Sequence, residues 1–167
     1  MKTRAAHGIL LAAATLLAVP AALPAAPPDA LPAVNAIVPN FYYKDLAAAR
    51  RWYVGQVGFK PLYDDGWVVI LAIGDGMQLA LVDGSKGLMR PVEDKGTMLS
   101  IETDALEDWH RRFSAIDGVR WVKPEGGGPL GRINDHKDIQ EFRVLDPGGY
   151  LIEFYRWKPE YRPGAGK

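Results

Sequence analysis

The sequence predicts an α+β fold made of two βαβββ modules, and three observations carry that prediction. One order of elements is written twice, from Ile37 to Asp83 and again from about Thr97 to Trp157. Within each copy the apolar residues change from strand spacing to helical spacing and back. Each copy also has an Asp where a helix should open and a Gly where it should close: Asp45 with Gly58, then Asp104 with Gly118. A unit of about 50 residues repeated in this way predicts two similar modules packed side by side.

In the first copy Ile37–Tyr43 is rich in β-branched and aromatic residues and reads as a strand, with Pro39 arguing for an edge position or the strand's beginning. Asp45 is placed to cap a helix over Leu46–Val57, whose apolar stripe is Leu46, Ala49, Tyr53 and Val57. Strands follow over Phe59–Tyr63, Trp67–Ile73 and Met77–Val82. The turns between them, Asp64-Asp65-Gly66 and Gly74-Asp75-Gly76, are hairpin signals.

The second copy opens with a strand over Thr97–Thr103. Asp104 with Glu107 then resembles a capping box for a helix through Ile116, striped by Leu106, Trp109, Phe113 and Ile116. A strand over Val119–Val122 precedes a long loop, Lys123–Lys137, whose run Gly126-Gly127-Gly128-Pro129 lacks the Lys-Ser/Thr pair of a phosphate loop and reads as mobile. Strands over Ile139–Leu145 and Tyr150–Trp157 are joined by the turn Asp146-Pro147-Gly148-Gly149. The modules, 37–83 and 97–157, thus form one domain over 34–158, and 159–167 reads as an irregular tail.

The start of the chain is of another kind. Lys2 and Arg4 precede an uncharged apolar run, Gly8–Val19, and small residues follow around Pro20–Ala26. This is the layout of a signal peptide over residues 1–21, with cleavage between 21 and 26. The run is shorter than the ~20 residues that span a bilayer, so no stable membrane insertion is expected after cleavage, an uncleaved anchor being the alternative. Residues 22–33 read as a Pro/Ala-rich linker. The expected location is outside the cytoplasm, periplasmic or secreted.

Composition narrows the classes further. The 167 residues carry 20 basic and 20 acidic side chains, a formal net charge of zero, so no electrostatic footprint for nucleic acid or anionic lipid is present. There is no Cys, which excludes thiolate metal sites and disulfides. Stability must then come from apolar burial, with pairing to a second chain as a further source.

Two runs carry a family resemblance: Tyr43-Lys44-Asp45-Leu46 with Arg51-Trp52-Tyr53 and Val57-Gly58-Phe59, and the closing hairpin Phe142-Arg143-Val144-Leu145-Asp146-Pro147-Gly148-Gly149-Tyr150-Leu151-Ile152-Glu153-Phe154. They resemble the vicinal oxygen chelate superfamily, which includes glyoxalase I, bleomycin-resistance proteins and extradiol dioxygenases. The resemblance implies paired modules whose sheets curve into a cup, in a homodimer. It also implies four metal-ligand positions, which fall here at Val38, Gln78, Met98 (Thr97 if the register slips by one) and Glu153. Glu153 is a strong donor and Gln78 a weak one, whereas tight divalent-metal sites need three or four good donors, so no cofactor is expected. His136 and Glu141, in and after the long loop, are the reserve candidates for a ligand. His110 reads as a helix-border residue, and His7 leaves with the leader.

If Val38 points into the cup, period-two alternation places Asn40, Tyr42, Gln78, Met98, Ser100, Glu102, Leu151, Glu153 and Tyr155 on the same lining. That mix of apolar and polar groups suits a small, partly aromatic molecule, although the same pattern also describes plain core packing. Glu153 argues for a site, because a carboxylate in apolar surroundings needs a partner, a ligand or a raised pKa. Trp67, Trp121, Trp157 and Tyr150 fit cross-strand packing better than ligand stacking. Two functions remain open: ligand binding or sequestration without chemistry, and a glyoxalase-like lyase, isomerase or dioxygenase with a divergent metal site and Glu153 as its base.

Overall fold

The computed structural model describes residues 33–124 and 127–164; the leader, residues 22–32 of the linker, Gly126 and the last tail residues lie outside the described residues. Each module builds its own sheet. In the first, β1 (Asn40–Tyr43) runs parallel to β4 (Met77–Asp83), which continues antiparallel into β3 (Val68–Gly74) and β2 (Lys60–Asp64). In the second, β5 (Met98–Glu102) runs parallel to β9 (Leu151–Trp157), followed by β8 (Ile139–Leu145), with β6 (Arg120–Trp121) and β7 (Asn134–Asp135) both on the outer side of β8. The expected α+β architecture and its module repeat are what the chain adopts.

Alternation decides what each sheet buries. Phe41, Tyr43, Val69, Leu71, Leu79 and Leu81 of the first sheet, and Phe142, Val144, Ile152 and Phe154 of the second, all belong to one buried cluster. That cluster also takes the buried faces of α1 (Leu46–Arg50) with its continuation Arg51–Val57, and of α2 (Leu106–Ser114). Trp52 lies 5.8 Å from Phe113 and Phe59 lies 5.9 Å from Trp109, ring centre to ring centre. The helical sides of both modules therefore share one core, and the opposite sheet faces are left for other work.

Several local expectations are refined. Asp45 caps α1 as expected, its Oδ1 accepting the Ala48 N–H at 2.8 Å. From Arg51 to Val57, however, the helix widens to π geometry, and Trp52 is buried there beside Tyr53. Pro39 cannot donate, so the strand ladder begins at Asn40, with only a single bridge from Ile37 to Met77 before it. The capping box at Asp104 does not form. α2 starts after Ala105, whose N–H is taken by Thr103 Oγ1 at 3.1 Å, while Glu107 is held by the guanidinium of Arg156 at 2.9 Å. A charge-assisted fork outcompetes a single capping bond.

The helices are also joined by Arg112, whose Nε donates to the carbonyl of Val57 at the end of the first helix. Gly58 makes room for it: its φ is 89°, and a Cβ there would sit 2.1 Å from Arg112 Nη2. Gly58→Ala combines left-handed backbone strain with a displaced Arg112, and is expected to cost about 2 kcal/mol in chemical denaturation. A variant as stable as the parent would show that Arg112 contributes nothing there.

Candidate functional site on the open sheet faces

The first sheet's open face is apolar. Strand register aligns Tyr42 with Val82 and Val68, and Asn40 with Ala80 and Ile70; Ala72 and Gln78 complete the row. Asn40 turns back to the Val38 carbonyl at 3.0 Å. The chain at Gly87 lies against Tyr42 and Val82, so closely that a Cβ would meet both within 2.7 Å.

The second sheet's open face is charged. Register places Ser100 opposite Glu153 and Glu153 opposite Arg143, and on the next rung Glu102 opposite Tyr155 and Tyr155 opposite Glu141. Glu153 is 6% exposed and both its oxygens are engaged: Oε2 accepts from Ser100 Oγ at 2.8 Å and Oε1 from Arg143 Nε at 2.8 Å. Glu141 has no exposed surface. Its Oε1 accepts from Asn134 Nδ2 and pairs with His136 Nε2, each at 3.0 Å. Its Oε2 has no hydrogen-bond partner and lies 3.5 Å from Arg143 Nε, an ionic contact too long to be a good hydrogen bond. Burial, then the nearby Glu102 and Glu153 carboxylates, raises the pKa of Tyr155.

The predicted lining residues thus fall into two groups. Ser100, Glu102, Glu153 and Tyr155 share the charged face, with Met98 opposite Leu151 at its end. Asn40, Tyr42 and Gln78 share the apolar face. Among the described residues no hydrogen bond joins Asn40, Tyr42 or Gln78 to Ser100, Glu102 or Glu153. At the four family positions, Val38 stands level with Gln78, but the residue level with Met98 is Leu151, and Glu153 lies one inward-facing position further on. Among the described residues no group of three or more His, Asp or Glu is arranged to hold a metal ion.

Arg143, which the sequence does not single out, is brought by the fold onto the charged face beside Glu153 and Glu141. A signal was present: Glu141 and Arg143 alternate with apolar residues along β8, and folding the hairpin about its Asp146–Gly149 turn sets Arg143 against Glu153. By sequence Asp146 is a turn residue. It is fully buried, its Oδ2 accepting from Tyr43 Oη at 2.6 Å and Tyr53 Oη at 3.0 Å, and its Oδ1 from the Tyr150 N–H at 2.8 Å. Burial raises its pKa against the opposing effect of those hydrogen bonds, and burial first of all lifts both tyrosines well above their ordinary value. The adjacent Tyr150 stacks on Phe41 at 3.9 Å, and its hydroxyl takes the Tyr42 N–H at 2.8 Å. This cluster bolts the second module's hairpin to the first module's β1, beside the open faces.

Solved structures of the same architecture are numerous. A glyoxalase/bleomycin resistance protein/dioxygenase from Nocardioides is 18% identical, covering 81% of this chain and 91% of that one with a TM-score of 0.61. TnmS3, an antibiotic binding protein from Streptomyces sp. CB03234, is 20% identical over 77% of this chain and 100% of its own, TM-score 0.58. A glyoxalase/bleomycin resistance protein from the same Streptomyces strain is 26% identical over 72% and 98%, TM-score 0.53. No curated protein matches. The family model of the Glyoxalase/Bleomycin resistance protein/Dioxygenase superfamily matches residues 33–154, most of the chain and both modules, and the protein belongs to that superfamily.

Proposed function

We propose that this chain is an exported small-molecule-binding member of its superfamily that works without a metal. The commitment of Glu153 carries the reading. The one strong donor among the four family positions is already saturated by Ser100 and by a guanidinium at 2.8 Å, and a cation so close opposes a second, divalent one. The other three positions offer Val38, Met98 and the weak donor Gln78. Binding suits the two faces: an apolar one for a planar, partly aromatic body and a charged one for its polar end. The antibiotic-binding role of TnmS3 supports this class of function without naming a ligand.

Two further parts belong to the proposal. The leader of residues 1–21 sends the protein to the periplasm or the medium. A second copy completes the cup, because within one chain the modules meet through their helical sides and not through the opposite sheet faces. Light scattering should then give a dimer mass.

The test is thermal melting of the mature domain against zinc, nickel, manganese and ferrous ions, and against a panel of small aromatic ligands. The expected result is no shift at micromolar metal and a shift with some aromatic compounds. Glu153→Gln should change which of them bind while leaving the fold in place. A melting rise with stoichiometric metal would overturn the metal-free reading.

A further inference from the structure

Two glycines in the segment that leaves β4 sit on close contacts, and neither is needed for its backbone. Neither Gly84 nor Gly87 takes a positive φ, so what glycine supplies at each is the missing Cβ. At Gly84 a Cβ would stand 2.2 Å from Pro91 Cδ; at Gly87 it would stand 2.6 Å from Val82 Cγ1 and 2.7 Å from Tyr42 Cε1. The first contact closes residues 83–91 on themselves as a strap. The second presses that strap onto the apolar sheet face.

The strap keeps its shape without help from the face. Asp83 Oδ1 accepts from the N–H and the hydroxyl of Ser85 at 2.8 and 2.7 Å, and the Asp83 carbonyl accepts from the N–H groups of Lys86 and Gly87 at 3.1 and 2.8 Å. Arg90 Nη1 donates to the carbonyls of Gly84 and Gly87, each at 2.8 Å, and the Gly84 N–H donates to the Tyr43 carbonyl of β1 at 2.9 Å. Where strap and face meet, it is therefore the side chains of the face that must fit. Val82 shows the effect, being 3% exposed although it lies on the open side of its sheet.

Tyr42 is the other side chain under the strap. Tyr150 clamps its backbone, the Tyr150 hydroxyl accepting from the Tyr42 N–H at 2.8 Å and donating to the Tyr42 carbonyl at 3.2 Å. Gly87 meets its ring edge. Tyr42 is only half-buried, and among the described residues its own hydroxyl has no hydrogen-bond partner. A phenol fixed at backbone and ring, with its hydroxyl uncommitted, is a preorganised donor and acceptor at the edge of an apolar surface.

We propose that Gly87 is the specificity-determining residue of the apolar face, and that the ligand it selects is a planar aromatic molecule with a hydroxyl on its ring. The inference rests on the reading of this face as a binding site and names its ligand class. The ligand ring lies beside Ile70 and Ala72, the half-exposed apolar residues further along β3. Its hydroxyl bonds to Tyr42 Oη, and the strap forms the end wall. Gly87 acts through Tyr42: a larger residue would take the space of the Tyr42 ring and carry its hydroxyl away from the ligand.

2-Naphthol and naphthalene are the probes, titrated into the full-length protein while the Tyr42 ring and the Gly87 amide are followed by NMR. 2-Naphthol should bind about tenfold more tightly than naphthalene, the effect of one well-formed hydrogen bond. Tyr42→Phe and Gly87→Ala should each abolish that preference, and Gly87→Ala should also move the Tyr42 ring resonances before any probe is added. Arg90→Gln loosens the strap without touching Tyr42 and should weaken the preference, which keeps the test open if Gly87→Ala does not fold. A purely structural Gly87 would lower the melting temperature of Gly87→Ala and leave the preference at its wild-type value, overturning the proposal. Equal binding of the two probes to the wild type would overturn it while leaving the face as a binding site. Binding of neither probe at ~0.2 mM would overturn it too, whereas the reading of the face would fall only if the whole aromatic panel gave no melting shift.

Discussion

Asp146→Ala is expected to lower stability by about 3–5 kcal/mol, from three donors orphaned at ~1–3 kcal/mol each with partial relief by water. The three are the hydroxyls of Tyr43 and Tyr53 and the N–H of Tyr150, all buried in the seam between the modules. Because Tyr150 also stacks on Phe41 and holds the edge of β1, the loss should appear as one cooperative unfolding event. Chemical denaturation checks the size. A loss below about 1 kcal/mol would mean that the tyrosines find other acceptors and that the seam is held by apolar packing alone.

Asp146→Asn separates shape from charge. The amide keeps an acceptor for the tyrosines but turns a donor toward the Tyr150 N–H, so this variant too should be destabilised. Its pH dependence carries the sharper test. Since the folded pKa of Asp146 is raised, mainly by burial, the folded state holds its proton to higher pH than the unfolded chain does. The resulting stabilisation is fully present below the unfolded value of 3.8 and is lost as pH rises through the raised folded value. The wild-type advantage over Asp146→Asn should therefore widen on acidification, even though the exposed, partnered carboxylates lose stability over the same range. A gap that narrows would show that the tyrosine hydrogen bonds outweigh burial.

Arg143→Met is the second large effect, at about 3–5 kcal/mol, the usual consequence of removing one partner from a buried charge cluster. Arg143 is 22% exposed at its side chain and touches both Glu153 and Glu141, which are nearly or wholly inaccessible. Its removal leaves Glu153 without its cation and Glu141 with only Asn134 and His136 as partners. Adding Glu153→Gln to Arg143→Met should recover a large part of the loss, because the stranded charge is then gone. A double variant no better than Arg143→Met would mean that the loss comes from packing of the arginine stem and not from charge.

These two residues also mark the limit of what local pattern conveys. Module order, helix stripes and the side on which each strand residue lies follow from periodicity, and Leu106, Phe113, Leu79 and Leu81 sit in the core where spacing put them. Glu153 drew attention because a carboxylate interrupts an apolar strand, and it does have partners. The role of Asp146 left no such trace. Its tyrosine partners are 103 and 93 residues away, and in its own neighbourhood it looks like any Asp before Pro-Gly-Gly. The capping box at Asp104 failed for the same kind of reason: Arg156, 49 residues from Glu107, competed for the side chain that the local motif required.

The sequence by itself determined the α+β module repeat and the buried side of most strands and helices, since these depend on residue type and on spacing within one strand or helix; β2, exposed at every residue, is the exception. Only the tertiary structure decided that the modules share a core through their helical sides, that one open face is apolar and the other charged, and that Asp146 and Arg143 hold the arrangement. A side chain's face is a property of its own segment. Its partner is chosen among residues that only the folded chain brings together.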